Sequence, residues 1–178
     1  PNMNVVSPAD PFETLVLTRQ LAKSRKPSYF RLGRSGEKQI NQKIPELTEG
    51  KFNKIYEGND GTILFTGSIG LNVIKAREIL ASHRLNVGVY SVPFISNIAL
   101  SDLNDLADNG PIVVVEEHSI RGGLASAILE TAAKANLNLK LNSVASCQSD
   151  LSLIGDQAFL REANGIGAED ICSHFINV

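Results

Sequence analysis

The sequence predicts an α/β protein built around a mostly parallel sheet. From residue 62 onwards, strand-like and helix-like patterns alternate, which is typical of right-handed βαβ units. The run Ile112–Glu116 starts with four consecutive β-branched residues and predicts a strand that is buried on both faces. The alanine-rich stretch 123–135 is apolar almost all round, so it predicts a largely buried helix. These observations place Ile112–Glu116 at the centre of the sheet.

The first part of the chain, residues 1–36, predicts one helix and one strand, which are too few to form a core of their own. We expect Ser7 to cap the helix, Pro8 to occupy its first position and Pro27 to follow its end. The sequence begins with Pro1 rather than Met, and folded-looking patterns follow at once. We therefore expect it to be a piece of a longer protein.

The rest of the chain divides into a linker and a second domain. Residues 37–53 are polar, hold Pro45 and Gly50, and predict a linker that leads into a domain of residues 54–178. Over the whole chain, strands are expected at 28–32, 54–57, 62–66, 87–92, 112–116 and 137–142. Helices of the second domain are expected after Gly70, at 100–107, at 123–135 and in two short pieces around Asn164. The alternating pattern of 137–142 predicts a half-exposed strand near the sheet edge.

Charge and composition exclude several classes of partner. The chain has 178 residues, a formal net charge of −2 and no basic stripe, so we do not expect it to bind nucleic acid. Its apolar runs are too short to span a bilayer, and no basic-then-apolar leader opens the sequence. Cys147 and Cys172 lack metal-ligand spacing, so we interpret them as reduced thiols of a cytoplasmic protein rather than as a disulfide.

Polar residues gather where the central strand should end. Glu116, Glu117 and His118 have the chemistry for acid–base catalysis or metal binding, but adjacent strand residues point to opposite faces. We therefore expect one carboxylate to bind backbone N–H groups and the other to be solvated, without a direct catalytic role. The following Arg121-Gly122-Gly123 predicts a helix N-terminus with close backbone approach, where the arginine could reach Glu117 or an anion.

Two further glycine-containing turns follow predicted strands. The segment 67–70 lacks the other features of a phosphate-binding loop, so we interpret it as a tight turn in which Ser68 caps a helix. Arg31 and Arg34 flank Gly33, and guanidinium groups match the oxygens of a phosphate or carboxylate. On pattern alone, a solvated basic loop is a slightly better explanation of these two arginines.

Four segments together make the sequence resemble the transketolase family of thiamine-diphosphate enzymes. They stand in the family's order and spacing, and the resemblance covers nearly the whole chain. Ser-Pro-Ala-Asp-Pro-Phe-Glu-Thr at 7–14 and Tyr-Phe-Arg-Leu-Gly-Arg-Ser at 29–35 resemble the end of the pyrimidine-binding domain, to which we assign residues 1–36. Thr-Ile-Leu-Phe-Thr-Gly-Ser at 62–68 and the stretch from Val115 to Ala127 resemble the family's C-terminal domain, to which we assign residues 54–178.

The resemblance implies a three-layer α/β/α sandwich on a mostly parallel, mixed five-stranded sheet. The implied strand order is 1-3-2-4-5, and the first strand is antiparallel to the others. The strand at 54–57 should then lie beside 87–92 instead of forming a hairpin with 62–66. The strands at 62–66 and 112–116 should be neighbours at a topological switch point, so that the turns after them share one crevice.

The resemblance also implies a function for the parent protein. Such an enzyme transfers two-carbon ketol units between sugar phosphates, uses thiamine diphosphate and Mg²⁺, and assembles as a homodimer or with a separate N-terminal subunit. The family's Gly-Asp-Gly…Asn motif and its catalytic glutamate are not in this sequence, so we expect no catalytic, cofactor-binding or metal-binding residue here. The chain alone should be inactive and serve assembly and architecture. Alternatives are a deoxyxylulose-phosphate synthase, or a 2-oxo-acid dehydrogenase β subunit whose C-terminal module docks a core protein.

The resemblance gives the two basic residues of the loop a role in substrate binding, whereas the position of the polar residues at the end of the central strand predicts a structural or interface role for them. Arg34, with Arg31, should bind the phosphate of the sugar, because the Leu-Gly-Arg-Ser loop resembles the phosphate-binding loop of the sugar-phosphate enzymes. Residues with a structural or interface role are expected to be Glu117, His118, Arg121, Gly122 and Gly123. Among these, Glu117 should be the buried carboxylate that ties Arg121 and the N–H groups of the next helix to the sheet.

Overall fold

A five-stranded sheet between helices forms most of the molecule, and a two-stranded sheet lies beside it. The structure, a computed structural model, describes residues 2–34, 36–146 and 152–176. The N-terminal part holds β1 (Asn4–Val6), α1 (Pro11–Lys23) and β2 (Ser28–Phe30). The part that follows holds β3 (Asn53–Tyr56), β4 (Thr62–Thr66), a 3₁₀ turn (Gly67–Ile69), α2 (Gly70–Ser82), β5 (Gly88–Ser91), α3 (Leu100–Ala107), β6 (Ile112–Ser119), α4 (Leu124–Lys134), β7 (Leu141–Ser146), α5 (Gln157–Ala163) and α6 (Ala168–Cys172).

The strand order of the large sheet is β3-β5-β4-β6-β7. This order and the antiparallel pairing of β3 with β5 confirm the predicted mixed sheet, and the remaining neighbours are parallel. Strands β4 and β6 lie side by side in the centre, with Thr62 paired to Ile112 and Thr66 paired to Glu116. The chain leaves β4 towards β5 on one side and leaves β6 towards β7 on the other. The carboxyl ends of β4 and β6 therefore form the topological switch point.

Side chains of the central strands alternate between two apolar layers. Ile63, Phe65, Val113 and Val115 pack with α2 and α6 on one face. Leu64, Ile112 and Val114 pack with α3 and α4 on the other face. This arrangement is the predicted three-layer α/β/α sandwich, and it explains why the central strands carry unbroken apolar runs.

The N-terminal part is joined to this sandwich by backbone pairing and by a third apolar cluster. Strands β1 and β2 are parallel, and Val6 also forms an antiparallel bridge with Phe94. Val6 and Leu17 pack with Phe94 and with Leu47, which belongs to the stretch predicted as a linker. The described residues between β2 and β3 form neither helix nor strand, but Asn41 and Leu47 are buried.

Two predicted boundaries in the N-terminal part were wrong. The residue that caps α1 is Asp10, whose Oδ1 accepts the Glu13 N–H at 2.9 Å, and Pro11 takes the first helical position. Ser7 is instead buried next to β4, where its carbonyl accepts the Thr66 hydroxyl at 3.4 Å. Strand β2 also ends earlier than predicted, at Phe30.

Two predicted boundaries on the far side of the sheet were wrong as well. Strand β6 runs to Ser119 and so includes residues that we expected to follow it. Strand β7 starts at Leu141 because β6 starts at Ile112, and the two strands pair from these residues onward. The position of β7 at the sheet edge is as predicted, as are the two short helices of the tail. In the part of the chain that the structure describes, no helix is long and apolar enough to cross a membrane.

Candidate functional site

A polar crevice of about 220 Å³ lies at the carboxyl ends of β4 and β6. Its walls come from Ser7 after β1, the loop after β2, the end of β4 with the 3₁₀ turn, the end of β6 and the start of α5. The polar residues that line it are Ser7, Arg31, Arg34, Thr66, Ser68, Glu117 and Gln157. The structure therefore brings the two arginines of the loop to the switch point of the C-terminal sheet.

The arginine loop is attached to the crevice at two points. The Arg31 guanidinium donates a hydrogen bond from Nη2 to the Glu117 carbonyl at 3.0 Å. Gly33 approaches the 3₁₀ turn so closely that an added Cβ would lie 3.0 Å from the Ser68 Cβ and 2.7 Å from Glu37 Oε1. Arg34 is exposed and lines the same crevice as Arg31. Two such groups and the nearby hydroxyls are suited to an anion.

Gly67 allows the chain to turn at the end of β4 while its backbone lies close to Ser7 of the N-terminal part. Its φ of +73° lies in the left-handed region, and an added Cβ would be 2.9 Å from Ser7 Oγ. The next residue, Ser68, does not cap a helix as predicted, because α2 has no side-chain cap. The Ser68 hydroxyl instead accepts a hydrogen bond from Arg161 Nη2 at 3.1 Å.

The buried carboxylate at the end of the central strand is Glu116, and not Glu117 as predicted. Glu116 is 1% exposed and accepts the Leu124 N–H at 2.7 Å and the Ala125 N–H at 3.0 Å, which are the first two of α4. Gly123 is required here because an added Cβ would lie 1.9 Å from Glu116 Oε2. A carboxylate at a helix N-terminus is also favoured by the helix dipole.

Glu117 pairs with an arginine, but the partner is Arg161 rather than Arg121. Arg161 Nη2 lies 2.9 Å from Glu117 Oε2, and its Nε lies 3.3 Å from Oε1. The Arg161 side chain is 7% exposed and that of Glu117 is 31% exposed. This fork-shaped contact between β6 and α5 was not found in the sequence, because nothing local marks residues so far apart as partners.

The other residues expected to have a structural or interface role lie at the end of β6 and in the turn between β6 and α4. His118 is exposed, and its Nδ1 lies 2.9 Å from the Ser119 carbonyl oxygen. Arg121 is exposed as well and lines neither the crevice nor the neighbouring cleft. Gly122 has a φ of +76°, and its N–H donates to Ser126 Oγ at 2.9 Å. Within the described ranges, no three His, Cys, Asp or Glu side chains are grouped as metal ligands.

A second buried polar network, missed by sequence reasoning, joins α1 to the C-terminal domain. Glu13 is fully buried, and its carboxylate accepts the Ala9 N–H at 2.8 Å, Asn53 Nδ2 at 2.7 Å and the Ser91 hydroxyl at 3.1 Å. Burial raises the pKa of Glu13, while the hydrogen bonds that it accepts lower it. The available signal was the Asp-x-x-Glu spacing of Asp10 and Glu13, which is typical of a capped helix start.

The Asp10 carboxylate extends this network into the stretch before β3. Its Oδ2 accepts the Ile40 N–H at 3.0 Å and the Asn41 N–H at 2.8 Å. The Asn41 Oδ1 in turn accepts Asn53 Nδ2 at 2.9 Å. The acidic pair at the start of α1, the cap Asp10 and Glu13, therefore holds the stretch predicted as a linker, and with it the first strand of the large sheet.

A larger and mostly apolar cleft of about 660 Å³ adjoins the crevice. It lies between the start of α1 and the arginine loop, and Pro8, Pro11 and Leu15 line it. Gly33, Arg34 and Ser68 belong to both depressions. Of the two cysteines, Cys172 is a free, buried thiol, and Cys147 lies outside the described residues.

The fold and the match to known sequences agree on the family. Residues 50–171 match the family described as transketolase, C-terminal domain. This chain belongs to that family. Its transketolase C-terminal domain therefore comprises the large sheet, the helices on both faces and the carboxyl ends that form the crevice.

Two relatives and one solved structure show how the chain compares with longer members of the family. A protein described as a putative transketolase C-terminal section, from Methanocaldococcus jannaschii, is 33% identical over 143 residues, which cover 79% of this chain and 45% of that protein. The 1-deoxy-D-xylulose-5-phosphate synthase of Cytophaga hutchinsonii is 33% identical over 141 residues, which cover 76% of this chain and 22% of the synthase. The chain thus spans less than half the length of either relative.

The solved structure is described as "Split gene transketolase, inactive beta4 tetramer", where beta denotes a subunit and not a strand. It superposes with a TM-score of 0.89 at 27% sequence identity, and the match covers 98% of this chain and 57% of that one. The agreement extends beyond the transketolase C-terminal domain and includes the N-terminal part, with β1, α1 and β2.

Proposed function

We propose that this chain is the C-terminal part of an enzyme that transfers two-carbon ketol units between sugar phosphates. The observation that carries the proposal is the arginine loop at the switch point of a transketolase C-terminal domain, where two guanidinium groups face a polar crevice. In this assignment Arg34, with Arg31, binds the terminal phosphate of the sugar, and the domain itself contributes assembly and architecture. Both relatives and the solved structure support a parent of this family.

The chemistry of ketol transfer is assigned to the remainder of the enzyme. The family implies thiamine diphosphate with Mg²⁺, but the described residues offer no group of metal ligands, and the crevice presents guanidinium groups. The residues of this chain therefore do not fit a metal-bound diphosphate, and we derive no catalytic step from them. We propose that the chain alone is inactive, and that a Gly-Asp-Gly motif lies upstream or in a neighbouring reading frame.

The proposed partners are the remainder of the transketolase chain or its N-terminal subunit, and a second copy of the enzyme. A split gene transketolase in which a β chain assembles with itself supports an arrangement in separate subunits. We also propose that residues 1–36 are the end of the pyrimidine-binding domain, 37–53 a linker and 54–178 the C-terminal domain, in a cytoplasmic homodimer. The bridge between Val6 and Phe94 joins residues of the first and last of these proposed units.

Replacement of Arg34 in the reconstituted enzyme tests the proposed substrate contact. A charge-assisted hydrogen bond contributes about 1.5–3 kcal/mol, so Arg34→Ala should raise KM for phosphorylated sugars roughly ten- to a hundredfold. Because the phosphate lies far from the bond that breaks, the contact acts in ground and transition states alike, and kcat should change little. An unphosphorylated sugar should be scarcely affected.

The exposed Arg25 provides a matched control for this experiment, since it lies in the loop at the other end of the N-terminal part. Arg25→Ala should leave the KM for both kinds of sugar unchanged. An equal loss on phosphorylated and unphosphorylated sugars for Arg34→Ala would contradict the proposal and assign the residue to the fold or to a subunit contact.

A deoxyxylulose-phosphate synthase is a second candidate for the parent enzyme, supported by the relative from Cytophaga hutchinsonii. The two candidates share the proposed phosphate contact and differ in the product. The reconstituted enzyme should be assayed both for ketol exchange between sugar phosphates and for formation of 1-deoxy-D-xylulose 5-phosphate. Product formation only in the second assay would replace the first candidate by the synthase.

A further inference from the structure

Glu117 contacts two arginines with two different groups. Its backbone carbonyl accepts Arg31 Nη2 at 3.0 Å, whereas its carboxylate is held by Arg161 at 2.9 Å and 3.3 Å. Glu117 lines the crevice together with the two arginines of the loop, and its side chain is 31% exposed. The charge of that carboxylate is opposite to the charge that an anion site requires.

The contact with Arg161 removes this conflict. A bidentate guanidinium–carboxylate pair uses both carboxylate oxygens and fixes their direction. Arg31 and Arg34 are exposed and remain available to an incoming anion. Without Arg161, an unpaired carboxylate beside two guanidinium groups would bind one of them and neutralise its charge.

Arg161 also supports the loop through a second contact. Its Nη2 donates to the Ser68 hydroxyl at 3.1 Å, and Gly33 packs directly against Ser68. The loop is thus fixed at one end by the Glu117 carbonyl and in its middle by Ser68. From α5, Arg161 contacts the Glu117 carboxylate and the Ser68 hydroxyl, although it is 6% exposed and does not line the crevice itself.

We infer that Arg161 is a positioning residue for substrate, which pairs the Glu117 carboxylate and so keeps the charge of Arg31 and Arg34 available to a tetrahedral oxyanion. This inference deepens the proposed function and rests on it for the identity of the substrate. The tail of the C-terminal domain would thereby set the affinity of a site whose direct contacts come from the pyrimidine-domain part. The ligand class is a sugar that ends in a phosphate or another tetrahedral oxyanion.

Binding of inorganic phosphate to the 178-residue chain tests the inference without any enzymatic activity. The dissociation constant is measured by NMR from the arginine Nε–Hε signals for the wild type, Arg161→Met, Glu117→Gln and the double variant. Arg161→Met should weaken phosphate binding about tenfold, because the released carboxylate competes for Arg31. Adding Glu117→Gln to Arg161→Met should restore the constant to within about threefold of the wild type, because no competing carboxylate then remains. Arg25→Met is the matched control.

Two results would overturn the inference. In the first, the double variant binds phosphate as weakly as Arg161→Met, which would mean that Arg161 touches the anion or only holds the fold. In the second, the Arg34→Ala variant binds phosphate as tightly as the wild type, which would mean that the loop contains no anion site. If Arg161→Met does not fold, the double variant is compared with Glu117→Gln alone, and equal constants are expected.

The reconstituted enzyme provides a separate readout. Arg161→Met should raise KM for phosphorylated sugars and leave kcat nearly unchanged, and Glu117→Gln should rescue that KM. Suppose that the phosphate dissociation constants of the variants follow the expected pattern but ketol transfer is not detected. The proposed function then fails, and the role of Arg161 in anion binding stands. If ketol transfer is detected and the rescue is absent, the role of Arg161 fails alone.

Discussion

The strongest test of the site's architecture is the removal of the Glu116 carboxylate. Glu116 is 1% exposed, and its two oxygens accept the Leu124 and Ala125 N–H groups at 2.7 and 3.0 Å. Glu116→Ala would leave two buried N–H groups at the start of α4 without an acceptor. Hydrogen bonds to a charged group contribute about 1.5–3 kcal/mol each, so the free energy of unfolding should fall by about 3–6 kcal/mol. For a chain of this length, the melting temperature should then fall by on the order of 10 °C.

The assay is urea denaturation followed by circular dichroism, with Glu130→Ala as the control. Glu130 is exposed on the same helix, so its replacement should change the free energy of unfolding by less than about 0.5 kcal/mol. Glu116→Gln should lie between the two, since the amide keeps one acceptor and turns a donor towards the other N–H. A Glu116→Ala variant as stable as Glu130→Ala would refute the reasoning.

Gly123 offers a second measurement of the same contact. Its φ of −95° suits any residue, so the requirement for glycine comes only from the Cβ position, 1.9 Å from Glu116 Oε2. Gly123→Ala should cost about 1–3 kcal/mol in the wild type and clearly less in the Glu116→Ala variant, where the obstructing carboxylate is gone. Strict additivity of the two changes would show that they do not share this contact.

Three other expectations concern titration, cofactor and domain boundary. Burial raises the pKa of Glu13 above its ordinary value, so this group contributes stability below the ordinary carboxyl pKa that is lost as the pH rises through the raised pKa. The free energy of unfolding of the wild type relative to Glu13→Gln should therefore fall as the pH rises above the ordinary carboxyl pKa, and parallel profiles of the two proteins against pH would contradict this. Calorimetric titration of the chain with thiamine diphosphate and Mg²⁺ should show no binding in the micromolar range, and binding there would overturn the assignment of the cofactor site to other parts of the enzyme. Trypsin should cut first at the exposed Lys38 or Lys43 of the proposed linker, and a first cut within 62–135 would move the domain boundary.

The sequence alone was sufficient for most elements of the C-terminal domain. Strand Thr62–Thr66 and helix Leu100–Ala107 have the predicted bounds, because a short apolar run and a helical spacing are local patterns that end at marked residues. The order of the strands is not a local property. It followed from the resemblance of four segments to the transketolase family, and the observed β3-β5-β4-β6-β7 order confirms it.

Local sequence patterns could not choose between two adjacent residues that were equally suited to the same buried position. Alternation along β6 required one of the adjacent glutamates to face inward, but it could not tell Glu116 from Glu117. The choice depended on which face α4 covers, and this is fixed only when the helix packs on the sheet. The same packing shows why Gly123 is a glycine.

The partners of the charged groups were decided by tertiary structure. Arg161 lies 44 residues after Glu117 and meets it because α5 packs beside the end of β6. Glu13 likewise binds Asn53 and Ser91 across elements that are distant in sequence. Composition and periodicity report burial and local conformation, whereas the pairing of two charges depends on where the backbone brings them. The sequence by itself therefore determined the family, the layers of the fold and the arginine loop, and the tertiary structure decided which carboxylate caps the helix and which arginine pairs with the other carboxylate.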